Sequence, residues 1–130
     1  MHAPLFVGLL GLAGLILSLY LTIAPTPEFC DITSFISCDR VLSSPYAKIA
    51  GIPTALYGAV WFAAMSTAAF LASDKKNVFL FMKGWSAVGL AGVGALVYVE
   101  LVLIGAVCIL CTAAHLLAVL AAALTFLYLR

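Results

Sequence analysis

Four cysteines stand out in a chain of 130 residues, and they fall into two close pairs. Cys108 and Cys111 form a Cys-Ile-Leu-Cys motif at the head of an apolar run. On a helix, residues three apart share a face, so the two thiols lie within reach of one disulfide. A helix N-terminus carries unpaired N–H groups and partial positive charge, which favour a thiolate. The thiolate is the species that attacks a disulfide or passes electrons to an acceptor. Cys30 and Cys38 lie in the long polar stretch of the chain, beside Glu28, Asp31 and Asp39. A crosslink between them closes a short loop, worth about 2–3 kcal/mol by the chain-entropy argument. Spacing alone leaves three readings open for the four thiols: inert staples, a tetrahedral zinc site, or a redox relay. Zinc fits least well, because the outer pair lacks the close spacing such sites use. A relay explains why one pair is embedded among apolar residues and the other is wet.

The elements that must position these thiols are membrane helices. Hydrophobic residues make up 66% of the chain and charged ones only 8%, a balance that a small water-soluble globule does not sustain. Four apolar runs of spanning length are present, at about 5–23, 52–71, 85–104 and 107–129. The first lacks the basic start of a cleaved leader, since it opens on Met1-His2-Ala3-Pro4, and it reads as a helix. Pro25 and Pro27 close it, a polar loop covers 24–50, residues 73–77 form a hydrophilic turn, and Gly105 marks a tight turn. Residues 77–83 either extend the third helix inward or lie flat at the interface. The expectation is an all-α integral membrane four-helix bundle, one transmembrane domain over residues 1–130. A net charge of +1 without a basic tract excludes an electrostatic nucleic-acid surface.

Lys75, Lys76, Lys83 and Arg130 fall on one side of these spans, Arg40 and Lys48 on the other. The excess of positive residues makes the first side cytoplasmic. All four cysteines then lie at the extracytoplasmic face, where disulfides persist. Alanines recur at spacing four, at 87, 91 and 95 and at 114, 118 and 122, and read as packing seams.

Three stretches carry a further signal. They are Cys30…Cys38-Asp39-Arg40-Val41-Leu42-Ser43-Ser44, then Gly51-Ile52-Pro53-Thr54-Ala55-Leu56-Tyr57-Gly58, then Cys108-Ile109-Leu110-Cys111. In this order and at these separations they resemble the vitamin K epoxide reductase family across nearly the whole chain. The resemblance implies four helices around a quinone, capped by the outer loop and a short helix within it. By similarity Cys108 and Cys111 are the active pair, with Cys111 next to the quinone (ubiquinone, menaquinone or vitamin K type). Cys30 exchanges with a thioredoxin-like partner, and Cys38 passes electrons to Cys108. Bacterial and archaeal members use this relay to drive disulfide formation in exported proteins. Some are fused to a thioredoxin-like domain; the run to Arg130 implies a separate partner here.

Other residues carry a possible role beside an ordinary one. His115, four residues after Cys111, shares its helix face and is placed to hydrogen-bond a quinone oxygen, where animal members of the family carry a tyrosine. Its ordinary reading is a buried histidine satisfied by a neighbouring helix. Thr54 falls where those members carry an asparagine that holds the other oxygen, and it equally suits a helix cap after Pro53. Tyr57 and Trp61 wall an aromatic slot or serve as interfacial anchors or core. Ser44 before Pro45 reads as an N-cap, and it matches a serine that supports the active site in the family. Glu100 is expected to snorkel to the interface in preference to relaying protons. The reading is a membrane thiol oxidoreductase. Its rivals are a quinone-epoxide reductase and a non-catalytic membrane subunit stapled by disulfides. A transporter is disfavoured, because four short spans lack the interrupted helices and buried charges such sites use.

Overall fold

A backbone in hydrocarbon must satisfy its own N–H and C=O groups, and apolar runs without internal proline do so as helices. The computed structural model describes residues 3–23, 33, 36, 45, 48–49, 51–71 and 76–128. Four helices among them are long and apolar enough to cross a membrane. They are α1 (Ala3–Ile23), α2 (Thr54–Leu71), α3 (Lys76–Tyr98), and α4 (Ile109–Tyr128). A π-helical turn, Val99–Ile104, continues α3 without a break. The protein is an all-α, multi-pass membrane bundle.

Two boundaries differ from the sequence reading, and the structure settles a third that the sequence left open. Ile52–Pro53 form a short strand, β2, paired antiparallel with β1 (Lys48–Ile49), so α2 begins at Thr54. Gly51 takes the positive φ (81°) that a tight hairpin demands. Val107 forms a parallel bridge with Ile36, and this holds the chain extended until α4 starts at Ile109. Residues 77–83 extend the third helix, giving a continuous span of 29 residues over Lys76–Ile104. At about 1.5 Å per residue it is roughly 40 Å long and outreaches a hydrocarbon core of about 30 Å. Its basic end, with Lys76 and Lys83, therefore has the length to leave the hydrocarbon.

Packing is closest between α1 and α2, which run antiparallel. A methyl group added at Gly8 would collide with the Phe70 ring, at Gly11 with the Ser66 hydroxyl, and at Gly14 with the Phe62 ring. Glycine at these positions lets the backbones approach, as small residues do in lipid. Val7, Trp61, Phe62, Met65, Met82, Ala118 and Ala121 form the central core. Trp61 ties α2 to α3: its indole N–H donates to the Trp85 carbonyl (2.9 Å), and Trp85 returns the bond to the Trp61 carbonyl (3.0 Å). The Trp61 ring lies against Gly89, where no side chain fits.

That contact decides which face of α3 is partnered. Met82 and Ser86 are buried, whereas Ala87, Ala91 and Ala95 face outward. The expected alanine seam on α3 is therefore not a seam in this bundle; the large indole selects the glycine face instead. On α4, Ala118 and Ala122 are buried as their spacing implied, with Ala114 half-buried.

Candidate functional site

The site is built where the third span ends and α4 begins. Gly105, at φ 74° and ψ 26°, closes the π turn in the left-handed conformation. The N–H groups of Gly105 and Ala106 both donate to the Glu100 carbonyl, at 2.9 and 3.1 Å. The chain then reverses, and Cys108 stands immediately before the first residue of α4.

Cys108 acts as the cap of that helix. Its sulfur accepts the backbone N–H of Cys111 at 3.1 Å, the bond that a serine or aspartate makes at an N-cap. Its carbonyl accepts both the N–H and the hydroxyl of Thr112, each at 2.9 Å. The side chains of the two cysteines are linked by a hydrogen bond. That bond, with the backbone N–H groups at the helix start, holds the Cys108 thiol below its ordinary pKa, although burial and the nearby Glu100 charge oppose the shift. Cys108 is fully buried and Cys111 half-buried, in a small cluster with Ile104, Ala106 and Leu110.

Glu100 departs most from its expected role. It does not snorkel: only 6% of it is exposed. The Cys108 backbone N–H donates to its carboxylate, and one carboxylate oxygen lies 3.9 Å from Nδ1 of His115. The physical reason is the π turn, which widens the helix and changes the angular position of residues beyond Tyr98. Counting along a regular helix misses this. The signal present in the sequence was an ionisable residue inside a span, a functional candidate in its own right.

Beside this pair lies a groove of about 330 Å³ between the third span and α4. Glu100, Thr112 and His115 supply its polar atoms, and Val93, Val97, Leu101 and Val119 its apolar walls. Leu101 and Val119 are also exposed on the outer face of the bundle, so the groove adjoins the lipid. A quinone needs an apolar slot for its ring and tail, and a donor for a carbonyl oxygen. The apolar walls meet the first need and the His115 ring the second, so the residues fit such a group.

The expected site residues are distributed unevenly about this groove. His115 lines it, as do Val107 and Thr112, the chain neighbours of Cys108 and Cys111. Thr54 begins α2 and is half-buried, Tyr57 is exposed on α2, and Trp61 lies in the core between α2 and α3. None of these three lines the groove. Cys30, Cys38 and Ser44 lie outside the described residues, as do the loop helix expected to cap the site, Lys75 and Arg130.

No curated protein compared with the chain matches it. The sequence pattern of the vitamin K epoxide reductase family, by contrast, matches residues 5–126. With four spanning helices and a thiol pair capping the last of them, the chain belongs to this family of membrane oxidoreductases, whose enzymes use quinones.

Proposed function

We propose that the protein oxidises a thioredoxin-like partner and reduces a membrane quinone, and so drives disulfide formation in exported proteins. The observation that carries this reading is the capping arrangement: the Cys108 sulfur accepts the Cys111 N–H, beside a groove that adjoins the lipid. Cys30 exchanges with the partner's thiols, Cys38 passes the electrons to Cys108, and Cys111 is the thiol nearest the quinone. Ser44 and the outer loop cover the site, which faces away from the cytoplasm. Lys76 and Lys83, at the far end of the third span from Gly105, support that orientation.

The chain's own residues divide the work. The start of α4 lowers the pKa of the Cys108 thiol and so favours its thiolate, the form that exchanges with a disulfide. Thr112 fixes the Cys108 carbonyl, and with it the geometry of the cap. His115 orients a ring in the groove, and Thr54, Tyr57 and Trp61 stand outside it. A bound quinone supplies an acceptor for two electrons and two protons. Cys108 and Cys111 supply both when their S–H bonds break and one S–S bond forms.

The test is quinone reduction by the purified protein in detergent, driven by a reduced thioredoxin-like donor. The wild type should turn over, and Cys111→Ala and Cys30→Ala should not. Failure of the wild type with several quinones and donors, its disulfides unchanged throughout, would leave a stapled structural subunit.

A further inference from the structure

Glu100 has a setting that capping α4 does not require. It is the only acidic residue among the described ones, and it is buried inside a membrane span. A carboxylate there is costly to keep unless it serves a purpose. A π turn, a feature frequent at functional sites, underlies its position. Its carboxylate reaches three things at once: the backbone N–H of Cys108, the Nδ1 of His115 at 3.9 Å, and the groove it lines. At 3.9 Å the two side chains are within ion-pair range but beyond a direct hydrogen bond. Among the described residues, the titratable groups within its electrostatic reach are Cys108, Cys111 and His115.

Oxidation of the inner pair forms one S–S bond and breaks two S–H bonds. It releases two electrons and two protons, and both kinds of particle end on the quinone. The electrons leave through sulfur. The protons need an acceptor, and among the described residues the ionisable side chains other than the thiols at this site are Glu100 and His115.

We propose that Glu100 is the proton-holding residue of this site: its carboxylate takes up in turn each of the two protons the sulfurs release, and His115 carries them on to the groove. The role rests on the quinone-linked reading above and adds a second path to it. Electrons and protons leave the same thiols by different residues. Glu100 acts through the cysteines and His115, so it is a positioning and proton-transfer residue whose effect must show in the thiols themselves.

The experiment reads the thiols and the turnover separately. In reduced protein carrying Cys30→Ala and Cys38→Ala, without quinone, thiolate absorbance near 240 nm is followed against pH for Glu100 and for Glu100→Gln. Glutamine keeps an oxygen acceptor for the Cys108 N–H but holds no proton and no charge. The first thiol should titrate lower by about one pH unit in Glu100→Gln, since a facing negative charge is gone. With all four cysteines present, quinone turnover in Glu100→Gln should fall by roughly 10²-fold, and Glu100→Asp should recover part of it. Unchanged titration and unchanged turnover in Glu100→Gln would overturn the proposal and leave Glu100 only as the acceptor of the Cys108 N–H. A wild type with no quinone turnover, whose thiol titration still moves in Glu100→Gln, would sink the quinone reading and still support the carboxylate–thiol coupling.

Discussion

Along the α1–α2 seam, polar side chains are returned to their own helices. Ser66 donates to the Phe62 carbonyl and Thr22 to the Ser18 carbonyl, each at 2.8 Å and one turn back. Both bonds stay within one helix, and the glycines at 8, 11 and 14 close the gap between backbones. At the junction of the third span with α4 the polar groups reach outward. The Glu100 carboxylate meets Cys108 and His115, and the Cys108 sulfur meets the Cys111 N–H. The helix there is widened, the turn is left-handed at Gly105, and a groove stays open. One region spends small residues on tight contact; the other accepts irregular backbone to bring reactive groups together. In lipid, irregular backbone survives only where protein satisfies it. The two carbonyls at 100 and 108 do this at the junction by taking two donors each.

This contrast is open to test from both sides. The largest effect is expected at the junction. Cys108→Ala should lower quinone turnover by about 10³-fold or more, as loss of an essential reactive thiol does. Its cost in stability should stay near that of a lost helix cap, about 1 kcal/mol. Parallel turnover and thermal unfolding measurements check the separation; a variant that unfolds as completely as it inactivates would place Cys108 in the scaffold. The seam should behave in reverse. Gly11→Leu forces a side chain into Ser66 and the Phe62 backbone, at a cost of about 1–3 kcal/mol, with turnover per folded molecule kept. Full stability in this variant would show that α1 and α2 are not clamped at residue 11. Gly105→Ala should fall between the two. A left-handed alanine costs about 1–2 kcal/mol, and the strain sits on the peptide that donates to the Glu100 carbonyl. Both stability and turnover should drop, whereas a change in stability alone would uncouple the turn from the thiols.

The two regions were not equally legible in the sequence. The number of spans and their centres follow from apolar run length, which is a property of consecutive residues. Their faces do not. Alanine spacing on α3 is as regular as on α4, yet the face that packs is chosen by Trp61, a residue on another helix that needs Gly89 opposite it. Residues 77–83 were ambiguous for a related reason. Val78, Phe79 and Met82 suit a helix that continues as well as one that lies flat, and only contact with the core distinguishes them. At the junction, the spacing of Cys108 and Cys111 showed that they share a helix start. That the sulfur itself caps the helix depends on where α4 begins, one residue after Cys108. Glu100 was visible as a charge within a span, but its direction depends on a π turn that no local pattern announced.

The smallest effect expected is also the most specific to the cap. The Cys108 thiol is held low first by the hydrogen bond from the Cys111 side chain and then, against burial, by N–H groups of the helix start. In the reduced protein, thiolate absorbance at this residue should therefore rise at a pH below that of an ordinary cysteine thiol, about 8.5. Linkage gives the sign for stability. A thiol with a lower pKa folded than unfolded contributes stability that is full above the unfolded value and is lost as pH falls through the folded one. Reduced protein should thus gain stability as pH rises between those two values, and the gain should vanish once the disulfide forms. Thermal unfolding of the reduced and oxidised forms across that range reads both signs. The same experiment on Gly11→Leu should show the slope intact on a lower baseline, because the residues it displaces, Ser66 and Phe62, do not ionise. A slope lost together with the seam would mean that the two regions are energetically one.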